Sequence, residues 1–470
     1  MTRVRFSTVV ALAFASATAA GCGNGAQVPG ASLPAGARNP ATASSPSPIQ
    51  HVVLMIQENR TFNDFFATFP GADGTTTANV EAEPNCSPPI QKGAITLSEA
   101  NLILPKDLDH RYSGFKTARD RGKMDGFDKV TFGDGTPECT YPYMYTDPSQ
   151  ITEYWSLAQQ YALAEHMFTV QGSDSFTAHQ DLIAGGTIVA PKRAMVDLPT
   201  CGGAKCVWGC DAPPGTLTHL ITPNDHELNI RTDPGPFPCS NQFSVTYPTM
   251  RDLLDAKYVS WKYYVPPNNT VYGKLFSAFD LVYPVRYGSE WGTNIISPET
   301  QIINDVYNGK LAAMSWVVPD VAESDHPGNV QDTGPSWIAS VVNAIGQSSY
   351  WNSTAIVIVW DDWGGLYDNI SPKNVGYGGL GLRVPAIIVS PYAKPGYISQ
   401  TNYDFGSILK YVENNWNLGN LGGSDESAAS IIDCFDYNQE PRRFKVIPTT
   451  KHAQYFLHRK PSFRPPDDDF

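Results

Sequence analysis

Two pairs of polar residues each follow a short apolar segment and could bind a metal ion. The first pair is Glu58 and Asn59, and the second is Asp361 and Asp362. Adjacent carboxylates repel one another unless a cation lies beside them. Carboxylate and amide oxygens are suitable ligands for Mg²⁺, Ca²⁺, Mn²⁺ or Zn²⁺. The pairs therefore predict a divalent metal site, although a turn or helix cap explains the first pair alone and a solvated loop the second.

A candidate nucleophile lies at the start of a predicted helix. Ser175 begins a segment that runs toward Ala184 with helical character. A helix N-terminus favours negative charge and would help both an alkoxide and a phosphate, and a metal would activate the hydroxyl further. An ordinary helix cap is the alternative role of this serine, and Thr177 is a competing nucleophile. His179 lies four residues after Ser175, on the same helix face.

Two further histidines occur in polar, loop-like contexts. His110 and His326 each follow an aspartate directly, at Asp109 and Asp325. Either imidazole could contact a phosphate or protonate a leaving oxygen. The alternative is that both are surface histidines of ordinary loops, since the chain has nine histidines.

These residues must be positioned by strands and helices that the apolar patterning predicts. Short, β-branched apolar runs predict buried strands at residues 49–56, 312–318, 354–360 and 384–390. Helical periodicity predicts helices at residues 337–345 and 404–416. Strands that alternate with helices indicate an α/β sheet covered by helices on both faces. Ligands of such sheets bind beyond the carboxyl ends of the strands, where both acidic pairs are expected.

The N-terminus has the pattern of an export signal. Two arginines, a short apolar run and small residues precede Cys22, so residues 1–22 are predicted to be a signal peptide. The small residues before Cys22 resemble a lipoprotein cleavage box, and both lipidation and plain secretion remain open. Residues 23–48 are rich in Ala, Ser, Pro and Gly and are predicted to be a linker. Residues 49–470 are predicted to form the folded domain, located in the periplasm, secreted, or lipid-anchored at the cell envelope.

Charge and cysteine content restrict the partners and the redox environment. The net charge of −13 argues against nucleic acid or an anionic membrane as the main partner, so the predicted membrane link is a lipid on Cys22. The oligomeric state is open. Export favours disulfides over a zinc knuckle in the Cys- and Pro-rich region 190–300, which is predicted to be an insertion that caps the site. Cys434, in an apolar stretch, is the predicted free thiol.

Several phrases of the sequence, in order, resemble a bacterial phosphoesterase family. This family includes phosphatidylcholine-type phospholipases C and a respiratory-burst-inhibiting acid phosphatase. The similar phrases are HVVLMIQENRTF at residues 51–62, MDGF at 124–127, SDHP at 324–327, DDWGGLYD at 361–368 and RVPAIIVSP at 383–391. The resemblance implies an alkaline-phosphatase-like three-layer α/β sandwich with a central, mostly parallel sheet.

The resemblance also implies a role for each candidate residue. It implies a metal site formed by Glu58, Asn59, Asp361 and Asp362. It implies that Ser175 is the nucleophile and forms a phosphoserine, with His326 and His110 as the other catalytic residues. His179 and Asp325 are the predicted substrate-binding residues. The sequence departs from the family pattern at Thr177-Ala178, where the family has Pro-Asn, and at Trp363 and Asn369, where it has histidines.

Three functions are compatible with these observations. The first is an exported, metal-dependent phosphoesterase similar to the acid phosphatase. The second is a phospholipase C that acts on phosphatidylcholine-type lipids, with aromatic side chains of the predicted insertion holding choline by cation–π contacts. The third is a surface-tethered binding protein that retains the fold without turnover.

Overall fold

The computed structural model describes residues 47–133, 135–200, 209–212, 215–231, 239, 248–267 and 277–463, with only the backbone described for residues 229–231. Residues Pro46–Phe470 form one compact unit. The predicted signal peptide and nearly all of the predicted linker lie outside the described residues. None of the helices in the described ranges has the length and apolar content that a membrane span requires.

Nineteen strands and eleven α-helices are assigned in the described residues. The strands are β1 (His51–Gln57), β2 (Thr77–Val80), β3 (Gly93–Thr96), β4 (Ser98–Ala100), β5 (Met144–Thr146), β6 (Ala162–Ala164), β7 (Met167–Phe168), β8 (Ile188–Ala190), β9 (Arg193–Met195), β10 (Leu217–Ile221), β11 (Glu227–Arg231), β12 (Trp261–Tyr264), β13 (Ile295–Ile296), β14 (Met314–Val317), β15 (Thr354–Trp360), β16 (Arg383–Val384), β17 (Ala386–Val389), β18 (Tyr397–Ser399) and β19 (Tyr403–Asp404). The helices are α1 (Phe62–Phe66), α2 (Tyr112–Arg119), α3 (Thr152–Gln160), α4 (Ser175–Ala184), α5 (Met250–Ala256), α6 (Tyr283–Arg286), α7 (Glu290–Thr293), α8 (Gln301–Tyr307), α9 (Gly334–Gly346), α10 (Phe405–Trp416) and α11 (Ala453–His458).

The centre of the molecule is an eight-stranded sheet with the order β13-β12-β14-β1-β15-β17-β6-β18. The strands from β13 to β15 pair in parallel, β17 pairs antiparallel with both of its neighbours, and β18 pairs in parallel with β6. All seven residues of β15 are buried, so helices or loops cover both faces of the sheet. The predicted α/β fold with a central, mostly parallel sheet is confirmed.

One predicted strand is interrupted in the structure. The segment predicted as a strand at 384–390 divides at Pro385 into β16, which pairs with β7, and β17, which pairs with β15. Proline lacks the N–H that a central ladder requires, so the two halves of the segment join different sheets. The antiparallel direction of β17 was not predicted from its apolar composition.

The predicted helices are present with small shifts of their ends. Helix α10 begins after Asp404, whose side chain forms a capping box with Ser407. Helix α4 begins at Ser175, as predicted, and ends before Gly185, which has a φ of 67°. Gly185 supplies the left-handed conformation that commonly ends a helix.

The region 190–300 is only partly separate from the central sheet. Strands β8 to β11 form their own antiparallel four-stranded sheet, whereas β12 and β13 belong to the central sheet. The stretch outside the central sheet is therefore shorter than the predicted insertion, and its capping role stays a prediction. Disulfides join Cys86 to Cys139 and Cys210 to Cys239, and Cys434 is a buried free thiol, as predicted. Cys22, Cys201 and Cys206 lie outside the described residues.

Candidate active site

The two acidic pairs meet at one edge of the central sheet. Strands β1 and β15 are neighbours and pair in parallel, so the residues that follow them emerge side by side. The backbone N–H of Asn59 donates to Asp361 Oδ1 over 3.0 Å. Glu58, Asn59, Asp361 and Asp362 are all fully buried. These four polar side chains at the carboxyl edge of the sheet therefore form a buried group rather than a solvated turn.

His179 joins these residues from helix α4. Its Nε2 lies 3.3 Å from Glu58 Oε1 and 3.4 Å from Asp361 Oδ2. One ligand atom from each of Glu58, His179 and Asp361 lies within 4.8 Å of the other two. This geometry places His179 with the metal-binding candidates, whereas the sequence predicted it as a substrate contact.

The side-chain amide of Asn59 lies between the carboxylates and two histidines. Its atom on the carboxylate side is 3.2 Å from Asp361 Oδ1 and 3.3 Å from Glu58 Oε2, and its other atom is 3.0 Å from His110 Nε2 and 3.1 Å from His326 Nε2. With the nitrogen toward the carboxylates, the amide oxygen accepts from His110 and His326 only when both imidazoles are protonated at Nε2. With the oxygen on that side, the amide and the carboxylates would hold a cation together, so the donor set fits a divalent metal.

The charges of the group are strongly coupled. Burial raises the pKa of Glu58 to about 8, and the charge of Asp361 adds to this effect. Burial lowers the pKa of His179, but Glu58 and Asp361 together raise it to about 10. Burial also acts to raise the pKa of Asp361, yet the hydrogen bond and charge of His179 bring it down to about 2. Without a metal, the proton on His179 thus compensates the carboxylate charge.

Ser175 lies beside this group at the first residue of α4. Its Oγ donates to Asp362 Oδ2 over 2.9 Å, and the other oxygen of Asp362 accepts from the backbone N–H of Gly364 over 2.7 Å. The hydroxyl of Thr177 donates instead to the carbonyl of Asp174 over 3.1 Å. Of the two candidate nucleophiles, only Ser175 therefore contacts the carboxylates, whereas the Thr177 hydroxyl is hydrogen-bonded to the backbone at the start of its own helix.

Both predicted loop histidines face the site through Nε2. His110 Nδ1 lies 2.7 Å from the carbonyl of Leu108, and His326 Nδ1 is hydrogen-bonded to the carbonyl of Pro327. A carbonyl accepts only from an N–H, so in the neutral ring Nε2 carries the lone pair. The two rings are 6.0 Å apart. Each imidazole is thus oriented to exchange a proton at Nε2.

Asp325, which was predicted to bind substrate, is not among the residues that meet at the site. Its Oδ2 accepts hydrogen bonds from Tyr154 over 2.7 Å and from Trp360 Nε1 over 3.0 Å. Its carbonyl accepts from Arg60 Nε over 2.7 Å. Burial raises the pKa of Asp325 to about 7. Its side chain and backbone anchor the loop that carries His326.

Other supporting residues were not predicted from the sequence. Gln57 Nε2 donates to the carbonyl of Glu323 over 3.0 Å. Trp363 Nε1 donates to the carbonyl of His110 over 2.9 Å. Trp363 stands where the resembled family has a histidine, and this departure was the one sequence signal that drew attention to it.

Two glycines allow the acidic turn to approach its neighbours closely. Gly364 has a φ of +55°, and a Cβ on it would lie 2.2 Å from the carbonyl oxygen of Asn59. Gly365 has a φ of +74°, and its Cβ would lie 2.2 Å from Leu108 Cβ. Both the conformation and the space therefore require glycine at these positions.

The fold and the site together define a class of α/β protein in which a serine at a helix N-terminus lies beside buried oxygen and imidazole donors at the carboxyl edge of a parallel sheet. The chain belongs to the Phosphoesterase family, whose model matches residues 49–419. The family predicted from the sequence motifs is confirmed by this match.

The chain is similar to several curated proteins. It is 23% identical over 429 residues to a non-hemolytic phospholipase C of Burkholderia pseudomallei, covering 78% of the chain and 55% of that protein. It is 24% identical over 409 residues to phospholipase C A of Mycobacterium tuberculosis, covering 77% of the chain and 72% of that protein. The chain thus spans about half the length of the Burkholderia relative.

A solved structure of a protein in the alkaline phosphatase superfamily from Vibrio parahaemolyticus matches with a TM-score of 0.36 and 10% identity. The match covers 84% of this chain and 75% of the Vibrio protein.

Proposed function

We propose that this chain is a phosphoric ester hydrolase in which Ser175 attacks phosphorus and a divalent metal ion assists. The observation that carries the proposal is the 2.9 Å hydrogen bond from Ser175 Oγ to Asp362 Oδ2, at a helix N-terminus beside the buried donor group. The helix N-terminus and the buried histidines supply positive potential where a phosphate would lie. Membership of the Phosphoesterase family supports this reaction class.

The metal would be held by Glu58, Asn59, Asp361 and His179, with Asp362 next to them. A bound divalent cation supplies Lewis-acid stabilisation of the charge that develops on phosphoryl oxygens. The carboxylate, amide and imidazole ligands together suit Zn²⁺ or Mn²⁺, and the carboxylate and amide oxygens alone suit Ca²⁺ or Mg²⁺.

The chain's own side chains would move the protons. Asp362 Oδ2 takes the Ser175 hydroxyl proton while Oγ forms a bond to phosphorus and the ester P–O bond breaks. Protonated His326 gives its Nε2 proton to the leaving alkoxide, with His110 as the second contact to the phosphate. Water then attacks the phosphoserine and gives a proton to His326 Nε2, the bond between Ser175 Oγ and phosphorus breaks to release phosphate, and Asp362 returns its proton to Ser175 Oγ.

Ser175→Ala tests the proposal directly. Hydrolysis of p-nitrophenyl phosphate, bis-p-nitrophenyl phosphate and p-nitrophenyl phosphorylcholine would be measured with and without EDTA and with a panel of divalent metals. Ser173→Ala is the matched control, because Ser173 Oγ donates to Asp197 rather than to the acidic pair. Loss of turnover in the Ser175 variant only, with folding and metal content unchanged, supports the proposal, and full activity of that variant overturns it.

Phosphatidylcholine-type lipid is the second candidate substrate. Relatives named phospholipase C match over about three quarters of the chain, at 23% and 24% identity. Release of phosphocholine from phosphatidylcholine vesicles, compared with release of p-nitrophenol from the simple esters, separates a phospholipase C from an acid-phosphatase-like enzyme. A folded, metal-loaded protein that is silent on every substrate supports the binding-protein alternative.

Export is part of the proposal. The disulfides Cys86–Cys139 and Cys210–Cys239 support an oxidising compartment, such as the periplasm or the exterior. Cell fractionation of the wild type and of Cys22→Ser distinguishes the routes. A lipid-anchored protein leaves the membrane fraction when Cys22 is replaced, whereas a secreted or periplasmic protein does not change its fraction.

A further inference from the structure

A second group of carboxylates lies apart from the active-site group and has no part in the proposed reaction. One carboxylate oxygen from each of Glu81, Asp120 and Asp125 lies within 4.8 Å of the other two. Asp125 belongs to the MDGF phrase, which the active site does not use. Three carboxylates at this separation repel one another unless protons or a cation compensate them.

The three residues lie on two segments of the chain that are joined by a backbone hydrogen bond. Glu81 directly follows β2, and Asp120 is the C-cap of α2. The backbone N–H of Glu81 donates to the carbonyl of Asp125 over 2.9 Å. The carboxylates therefore have fixed anchor points and do not depend on the meeting of two mobile loops.

Asp125 gives the independent indication of a ligand. Asp125 is only 7% exposed, and its Oδ1 is buried and receives no hydrogen bond from a donor in the described part of the chain. An unpaired buried carboxylate oxygen costs free energy that a bound cation would recover. Burial raises the pKa of Asp125 above its ordinary value, and the charges of Asp120 and Glu81 raise it further.

Three lysines lie at the outer side of the group without reaching this oxygen. Lys92 and Lys129 pair with Glu81, at 2.5 and 3.7 Å, and Lys123 pairs with Asp120. The side chains of Lys92 and Lys123 are 67% and 59% exposed, so these ion pairs are weak and easily exchanged. Among the described residues, no salt bridge involves Asp125.

We propose that Glu81, Asp120 and Asp125 bind a calcium-like divalent cation at a site distinct from the catalytic metal site. All three ligands are hard oxygens, and the group lacks the histidine or cysteine that zinc sites use. Ca²⁺ accepts irregular coordination completed by water and carbonyls, whereas Mg²⁺ requires a near-ideal octahedron. The charge count and partial exposure favour a weak site, with a dissociation constant of about 10⁻⁴–10⁻³ M.

A cation bound at this second site would stabilise the segment that supports His110. Phe127, two residues after Asp125, packs against Trp363 with the ring centroids 6.0 Å apart. Trp363 in turn donates to the carbonyl of His110 over 2.9 Å. A cation at Asp125 would therefore stabilise the segment against which the aromatic contact is made, and its first effect would be on thermal stability.

Calcium-dependent melting of the full chain tests the proposal. The measurements use Asp361→Asn as background, because this change weakens the catalytic metal group and leaves the second group intact. The melting temperature would be recorded without added metal, with 
CaCl₂, and with MgCl₂ at the same concentration. CaCl₂ is expected to raise the melting temperature by a few degrees, and adding Asp125→Asn is expected to abolish the rise.

Glu99→Gln is the matched control, because it removes one exposed carboxylate outside the group. If Asp125→Asn does not fold, Asp120→Asn makes the same test at a more exposed ligand. A calcium-specific rise that survives Glu99→Gln and disappears in the group variant supports the site. An absent rise, an equal rise with MgCl₂, or a rise that the Asp120 or Asp125 variant retains overturns it.

Discussion

Ser175 Oγ and Asp362 Oδ2 form a 2.9 Å hydrogen bond across 187 positions of the sequence. The same Asp362 oxygen lies 3.9 Å from His110 Nε2. A carboxylate that is hydrogen-bonded to the hydroxyl and close to an imidazole can accept the hydroxyl proton during attack. We therefore propose a role for Asp362 different from that of Asp361, whose oxygens lie against Asn59 and His179.

Asp362→Asn should separate proton transfer from substrate binding. The amide can keep a hydrogen bond to Ser175 but cannot accept its proton, so we expect kcat to fall by about 10²–10⁴-fold with a small change in KM. Steady-state kinetics on p-nitrophenyl phosphate measure both constants, and metal content is determined in parallel. An unchanged kcat in the folded, metal-loaded variant contradicts the assignment of Asp362 as the base.

Gly364→Ala should disrupt the acidic turn. The new Cβ would meet the Asn59 carbonyl at 2.2 Å in a left-handed backbone, so Asn59 and Asp362 must move apart. We expect a lower melting temperature and a loss of activity of about 10²-fold, because small displacements of catalytic groups have large effects. Gly376→Ala is the control, since Gly376 also has a positive φ of +71° but has no atom within 4 Å of the added Cβ. Equal losses in the two variants would contradict the role of close packing at Gly364.

The sequence predicted the parts of the site that follow strands. Apolar runs identified β1 and β15, and parallel strands deliver their following residues to one edge, so the meeting of Glu58 and Asp361 was foreseeable. The start of helix α4 at Ser175 could also be predicted from the sequence, because helical periodicity is a local pattern.

The directions in which loop side chains point could not be predicted from the sequence. Asp325 was predicted to bind substrate, and in the structure Tyr154 and Trp360 donate hydrogen bonds to its carboxylate inside the protein. These partners are 171 and 35 positions away, and no local pattern encodes such contacts. His179 was placed on the face of Ser175, yet sequence could not show that its Nε2 reaches Glu58 and Asp361.

Glu138 should make stability depend on pH near neutrality. Its Oε1 accepts the Asp109 N–H over 2.9 Å in the loop that leads to His110, and burial raises its pKa from 4.5 to about 8. The unfolded chain releases this proton near pH 4.5, whereas the folded protein keeps it until about pH 8. The contribution of Glu138 to stability is therefore most favourable below pH 4.5 and is lost as the pH rises to about 8.

Glu138→Gln mimics the protonated carboxyl and should remove this dependence. We expect the variant to gain roughly 1–4 kcal/mol of unfolding free energy over the wild type between pH 5 and pH 8, with little difference at pH 4. Urea unfolding of both proteins across this range measures the difference. A difference that does not change with pH would show that Glu138 does not titrate in this window.

Arg459 should link the C-terminal segment to the loop that carries His326. Its guanidinium lies 2.7 Å from Glu323, 3.3 Å from Asp320 and 4.0 Å from Glu299, and all three carboxylates are buried. Arg459→Met would leave these acids without their cation, and we expect a destabilisation of about 3–5 kcal/mol at pH 8. The loss should shrink toward pH 5, because burial raises the pKa of Glu323 to about 7 and protonation relieves the repulsion.

The kinetic consequence distinguishes positioning from stability alone. The backbone carbonyl of Glu323 accepts a hydrogen bond from Gln57 Nε2 over 3.0 Å. Because Glu323 lies three residues before His326, a displacement of Glu323 should also displace the His326 imidazole. We expect kcat to fall more than KM rises in Arg459→Met, measured well below the melting temperature, and Arg459→Lys to restore part of kcat by keeping the charge. Arg443→Met is the control for an exposed arginine. If Arg459→Met melts early but retains full kcat, the carboxylate pocket stabilises the fold without positioning His326.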